Sequence, residues 1–366
     1  MNSFYKAEVV PFKMEKHPNA DSLSIVKVFG GYTYVARTED WIGVEKAAFI
    51  PSDNLVDVTR PEFAWLKEKE GQTQYRIKAQ KLRGVWSEGL MVRVPDSFNI
   101  GDDVTEYLGV VHYNPPEQEE TPSNDMDKSP EGIKCPGKYD LESLKKYHYL
   151  IGEGTPVVLQ EKVDGQNVLM VFVNGNFHVK SRNYWKKEFT DTSHLTVEYF
   201  LSKGKTQEEA ETIVKNIASR SKRNEMWQIL RDDENIQKFL MDNPGYFLFG
   251  ERFGDVNRIK YGLSSKNSFV AFDIWKEGEF FPPEKTLELC LKYNVAHVPI
   301  IDSGPFNKDK AIELAEGQTL IKDAKPGTIR EGLVVKPLVP AHDYNVGRIA
   351  FKVHSPSFLN IKTKGV

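Results

Sequence analysis

Through the first 110 residues, apolar and polar positions alternate over short runs. Val26–Phe29, Tyr32–Ala36, Ala47–Ile50 and Leu90–Val94 are β-branched or aromatic stretches. Gly-Gly, Pro-Ser-Asp and Pro-Asp segments break them up, so each reads as a strand ended by a turn. Several short strands in about 100 residues predict a small barrel or sandwich. From Asn114 to Pro130 the pattern vanishes into acidic, proline-rich sequence with almost nothing apolar. Such a stretch cannot bury enough surface to fold and predicts a linker. Beyond it, Tyr139–Tyr149 predicts a short helix, and Val157–Val163 and Val168–Val173 predict strands, with Asn174-Gly175 turning the chain into Phe177–Ser181. The period then lengthens: Ala210, Ile213, Val214 and Ile217 follow helical spacing, and Thr206 with Glu209 forms a capping box. This predicts a helical insertion between strands. No internal repeat is evident.

Composition narrows the picture. The 366 residues carry 49 Lys+Arg against 52 Asp+Glu, a net charge of −3, and 40% are hydrophobic, which fits a soluble globular protein of two or three domains. Apolar runs such as Phe269–Ile274 fall far short of the roughly 20 residues a spanning helix needs, so no membrane partner is expected. Residues 1–6 lack the basic segment and apolar core of a secretory signal. Two cysteines, Cys135 and Cys290, exclude a disulfide scaffold or a four-cysteine zinc site and point to a reduced intracellular compartment. The charge balance excludes a basic coat, so nucleic acid would bind local patches. Candidates are Arg76, Lys78, Lys81 and Arg83 with Tyr75 and Trp86; Lys180, Arg182, Lys186 and Lys187 with Tyr184 and Trp185; and Arg220, Lys222 and Arg223.

The most informative stretch is Glu161-Lys162-Val163-Asp164-Gly165-Gln166-Asn167. A lysine leaving an apolar strand into a glycine turn projects its amine from a rigid scaffold, and it becomes a nucleophile when deprotonated. Alone, this motif also fits an exposed strand-end lysine. It is not alone. Lys180-Ser-Arg182-Asn183 follows the hairpin, Glu251 ends an apolar strand, and Phe272 lies within another. Arg330-Glu331-Gly332 opens a third strand, whose Lys336 follows, and Lys352 stands 21 residues after Glu331.

This ordered set resembles the covalent nucleotidyltransferases, the polynucleotide ligases and messenger-RNA capping enzymes. The resemblance covers 137–366, with Lys162 in motif I, Arg182 in Ia, Glu251 in III, Phe272 in IIIa, Glu331 in IV and Lys352 in V. Only 14 residues follow Lys352, too few for the C-terminal OB domain of DNA ligases and capping enzymes. Upstream, His17-Pro-Asn-Ala-Asp-Ser-Leu23 and Leu82-Arg-Gly-Val-Trp-Ser-Glu-Gly-Leu-Met91 look like the OB domain of EMAP-type tRNA-binding proteins. An OB domain ahead of the transferase is the layout of the Naegleria/Deinococcus-type RNA ligases, the family that the chain resembles.

The resemblance implies an α+β protein: an OB-fold β-barrel (1–112), a flexible linker (113–136) and an ATP-grasp-like nucleotidyltransferase domain (137–366). The last would have antiparallel sheets flanked by helices and a helical insertion at about 196–242. It implies an ATP-dependent RNA ligase that uses Mg²⁺ or Mn²⁺. The enzyme would join 3′-hydroxyl and 5′-phosphate RNA ends through a lysine–AMP and an adenylated-RNA intermediate. RNA repair, nicked duplexes or RNA–DNA hybrids would be its setting and a monomer its state. Lys162 would be the nucleophile and Lys352 the α-phosphate contact. Glu331, and Glu251 directly or through water, would hold the metal. Glu251 would also bind the ribose, Phe272 would stack on adenine, and Arg182 and Asn167 would hold the ribose–phosphate region. Gln160 and Glu161 would read the adenine edge, and Lys336 would help bind phosphate. Where many RNA ligases have a second motif V lysine, this chain has His354, so either His354 serves or Lys362 or Lys364 reaches back. Two alternatives stay open: an RNA-binding OB protein with an inactive transferase core, and a ligase of DNA or mixed strands.

Overall fold

A computed structural model describes residues 5–113, 125–189, 195–218, 223–254, 257–265 and 267–361. The architecture is mixed α and β, built largely from antiparallel sheets. In the N-terminal unit, Lys46–Ile50 is a central strand between Glu8–Pro11 and Leu90–Val92. It is apolar at successive positions because both of its faces are covered. Ala48 and Ile50 join Val9, Val56, Phe63 and Leu108 in one core, while Ala47 and Phe49 join Val10, Val26 and Met91 in another. Two further three-stranded sheets and a two-stranded one complete this unit.

Residues 125–361 form two facing sheets. The five-stranded sheet contains β1 (Pro156–Lys162), β6 (Ile300–Pro305), β7 (Gly332–Pro337) and β8 (Phe351–His354), with Glu142–Ser143 at its edge. The seven-stranded sheet has β2 (Gln166–Val173), β3 (Asn176–Ser181), β4 (Phe247–Gly254) and β5 (Asn267–Lys276) at its centre. The turn Val163-Asp164-Gly165 carries the chain from one sheet to the other. Between β2 and β3, Asn174 and Gly175 both take positive φ, the geometry of a tight hairpin turn.

The insertion supplies α1 (Val197–Ser202), α2 (Gln207–Ala218), α3 (Glu225–Asp232) and α4 (Glu234–Asp242). Thr206 and Glu209 exchange hydrogen bonds at 3.1 and 3.2 Å, the reciprocal cap expected there. Met226, Leu230, Phe239 and Leu240 pack onto Val168, Met170, Leu248 and Ile274, covering the outer face of the larger sheet.

Two expectations are corrected. The 113–136 linker holds for no more than part of its length. Residues 114–124 lie outside the described residues, but Met126–Asp127 pairs with Trp185–Lys186, and Ile133 and Cys135 join a core cluster. Sparse but well-placed apolar side chains are enough to anchor an edge. Of the helix expected over Tyr139–Tyr149, only Leu144–Tyr147 is α-helical. Glu142–Ser143 instead pairs in parallel with β8, and the Tyr139 hydroxyl donates to Asp273 at 2.6 Å, because tertiary contacts outweigh local propensity.

Candidate active site

Strand alternation decides which side chains meet. On β1, Gln160 and Lys162 share a face; across β7 and β8 that face continues through Val334, Lys336, Lys352 and His354. The opposite face carries Leu159, Leu333, Val335, Phe351 and Val353 into the core. On the larger sheet, Asn167 lies opposite Glu251 in the β2–β4 register. Between Phe249 and Gly250 the pairing with β5 shifts by one residue, leaving Phe272 as the bulge. A bulge re-aims its side chain, and Phe272 reaches the space between the sheets. These faces enclose a cavity of about 540 Å³ lined by Gln160, Lys162, Asn167, Arg182, Glu251, Phe272, Glu331, Lys352 and His354.

Glycines permit the close approach. A Cβ on Gly165 would stand 2.1 Å from the Arg252 carbonyl oxygen, and one on Gly332 would stand 2.0 Å from that of Val353. Asp164 fixes the turn: its carboxylate accepts from the Ile259 N–H at 2.7 Å and from Asn257, and its own N–H donates to the Tyr261 hydroxyl. Burial and the neighbouring Glu331 charge push Asp164 up to about 6.

The charges are tightly coupled. Lys162 Nζ donates to Glu331 at 2.7 Å, and His354 Nε2 stands 3.5 Å from the other Glu331 oxygen. Burial works against the charged forms; between Lys162 and Glu331 the partner's charge outweighs it, whereas for His354 burial outweighs Glu331 and lowers the pKa. Glu331 falls to about 2 through Lys162 and His354, and Lys162 rises above its ordinary value through Glu331 and Glu251. Glu251 rises to about 8, mainly by burial, with Glu331 and Asp164 adding like charge. Lys352 falls to about 8, again first by burial, with Lys162 and Arg182 acting in the same direction. Among the described residues no group of three or more His, Cys, Asp or Glu could by itself hold a metal ion. Glu331 and Glu251 both line the cavity, and carboxylate oxygens are the donor type that a hard divalent ion takes.

Several expected residues also make contacts within the protein. Glu161 lines the cavity, and its side chain accepts from the Leu320 N–H at 2.7 Å and from the Thr319 hydroxyl, bracing a loop. Gln160 is 1% exposed, and both polar atoms of its amide lack a protein partner. Lys336 donates to the Phe272 carbonyl at 2.7 Å and pairs with Asp273, itself clasped by Arg348, so its ammonium is committed beneath the aromatic ring. Arg182 pairs with Asp140 at the rim. The basic patches are also revised, since Arg76 is fully buried against Asp53, Trp185 belongs to a core cluster and Lys186 pairs with Asp125. Arg220, Lys222, Lys362 and Lys364 lie outside the described residues. The sequence reading missed Tyr5, Asp53, His112, Asp140 and Arg258, which also line the cavity and carry no local motif.

A family model described as RNA ligase matches residues 155–354. A search of curated proteins finds no match. Among solved structures, a point mutant of Naegleria gruberi RNA ligase with ATP and Mn aligns at 21% identity and TM-score 0.70, covering 96% of this chain and 98% of that one. Another mutant of that ligase, with AMP and Mn, aligns at 22% identity and TM-score 0.70, covering 97% and 98%. The same ligase with pyrophosphate gives 22% identity and TM-score 0.68 over 97% and 98%. At these identities the likeness is one of fold. Among the described residues no helix is long and apolar enough to cross a membrane.

Proposed function

The chain belongs to the RNA ligase family, and from that premise we propose that it is ATP-dependent and seals 3′-hydroxyl to 5′-phosphate RNA ends through a covalent adenylate on Lys162. The observation that carries this reading is one cavity holding Lys162, Glu331, Glu251, Lys352 and Phe272 together. The Lys162 amine forms a bond to the α-phosphorus of ATP as the bond to the β-phosphate oxygen breaks, and pyrophosphate leaves. The adenylate then passes to a 5′-phosphate end, and a 3′-hydroxyl displaces AMP. Each step is an in-line displacement in which the protein positions groups and neutralises charge.

Phe272 stacks on adenine, Gln160 reads the base edge, and Glu251 accepts from the ribose. Lys352 meets the α-phosphate, and Arg182 and Asn167 hold the ribose–phosphate region. Glu331, with Glu251, would hold Mg²⁺ or Mn²⁺, which would supply charge neutralisation at the phosphates. The N-terminal unit is an OB domain, a reading supported by its small, short-stranded sheets. Nicked RNA is the expected substrate and a monomer the expected state.

Incubation with ATP labelled at the α-phosphate and Mg²⁺ or Mn²⁺ should leave label on denatured protein, and Lys162→Ala should carry none. An unlabelled wild-type chain would sink the reading and favour an inactive core. Faster sealing of nicked DNA than of nicked RNA would move the substrate to DNA.

A further inference from the structure

The N-terminal unit reaches into the cavity with Tyr5, Asp53, His112 and Tyr113. The Tyr5 hydroxyl lies 3.4 Å from Lys352 Nζ, and that ammonium stands 5.3 Å from the centre of the Tyr5 ring. Tyr5 is not loose. Its ring stacks on His112 with centroids 3.3 Å apart, and a His112 ring nitrogen meets the Asp53 carbonyl at 3.0 Å. The Asp53 carboxylate is in turn held by Arg76 at 2.7 Å and by both terminal nitrogens of Arg258 at 3.0 and 3.2 Å. A rigid path therefore runs from Arg258 through the N-terminal unit and back to Lys352.

We propose that Tyr5 is a positioning residue for nucleotidyl transfer, supplied by the N-terminal unit to hold the Lys352 ammonium where the α-phosphate arrives. This rests on the role given to Lys352 above. A lysine has a long, rotamer-rich stem, and fixing its head in advance lowers the cost of organising it during reaction. Tyr5 offers both a hydroxyl and an aromatic face to the cation. Its own ionisation is pushed far up, mainly by burial and also by Asp53, so it stays neutral. Lys352 also faces Asp140, Lys162, Arg182, Glu331, His354 and His112. Removing a neutral acceptor from that set destabilises the ammonium and leaves the other charges in place.

The test is Tyr5→Phe in the full chain, which keeps the ring and its stack on His112. Lysine–AMP formation is followed at saturating ATP across pH 6–10, with the melting temperature measured alongside. A rate lower by about tenfold is expected, the size of one lost hydrogen bond to a charged group, with little change in the KM for ATP. The rising limb of the profile, which ends where Lys352 loses its proton, should also end at a lower pH. A wild-type rate with an unshifted limb would overturn the proposal. So would a rate loss that tracks a lower melting temperature with the limb unshifted, since that is what a purely structural role predicts. Absence of label in the wild-type chain would be a failure of the ligase reading. A labelled wild type with an indifferent Tyr5→Phe would be a failure of this inference alone.

Discussion

Lys162 and Lys352 face the same cavity, yet their surroundings push them in opposite directions. Glu331 and Glu251 hold the proton on Lys162 despite burial, whereas burial with Lys162 and Arg182 brings Lys352 down to about 8. With the roles given above, the reaction needs Lys162 neutral and Lys352 charged. Raising the pH frees the Lys162 amine, and above about 8 Lys352 loses its charge. The rate of lysine–AMP formation should therefore rise up to about pH 8 and level off above it, as the gain in neutral Lys162 is cancelled by the loss of charged Lys352, and a rate still climbing at pH 10 would remove Lys352 from the role. Gly165→Ala should abolish labelling and cost about 1–3 kcal/mol in denaturant melts, because its Cβ would meet the Arg252 carbonyl oxygen. Near-wild-type stability would contradict that geometry. Lys162 and Glu331 were legible in the sequence because each sits at a strand end beside a turn, and Glu251 because a carboxylate interrupts an apolar strand, although the strand runs on past it to Gly254. Gln160 and Glu161 read alike in the sequence, whereas strand alternation puts their side chains on opposite faces. Tyr5 was invisible, since nothing local marks a side chain that acts some 350 residues away.

At the level of elements, the strands and the Asn174-Gly175 hairpin could be read from alternation and turn residues, and the helical insertion from its period and cap. Phe272 could be named but not placed, because a bulge adds one residue to a strand without changing its apolar character. The segment Met126–Asp127 could not be found, since two residues completing a sheet edge leave no periodicity. The cap allows a contrasting prediction. Thr206→Ala removes the acceptor for the Glu209 N–H and should loosen α2 by about 1 kcal/mol, seen as faster amide exchange there. Lysine–AMP formation should be unchanged, and a large loss would tie that helix to the chemistry.

Across the whole molecule, the N-terminal unit and the two-sheet unit are joined by buried charge. Asp53 holds Arg76 and Arg258, Glu88 meets Lys145, and Tyr32 bonds Ser143, the strand neighbour of Lys352. Asp53→Ala would leave two buried guanidiniums facing each other and should cost about 3–5 kcal/mol by chemical denaturation. A loss below about 1 kcal/mol would mean that water already screens the cluster. Burial raises the Asp53 pKa, but the arginines outweigh it and hold it far below the usual carboxylate range. A depressed carboxyl stabilises the fold above its unfolded value, and that contribution drains away as pH falls below roughly 4. Asp53→Asn should flatten the acid limb of the stability curve; an unchanged limb would assign acid sensitivity elsewhere. The basic residues of this region were legible as charges only. Sequence does not say that Arg76 looks inward, and the partner that turns it there is 23 residues away.

Arg76 also donates to the Ile361 carbonyl at 3.0 Å, across 285 positions of the chain. Closing so large a loop is slow, since its entropy is lost before the contact gives anything back. The two units can each gain their strands early, but the cavity needs Tyr5, Lys162 and Lys352 at once. After dilution from denaturant, the capacity to accept label should therefore return later than the circular dichroism signal of the sheets. Simultaneous recovery would mean that the two ends meet as early as the strands form.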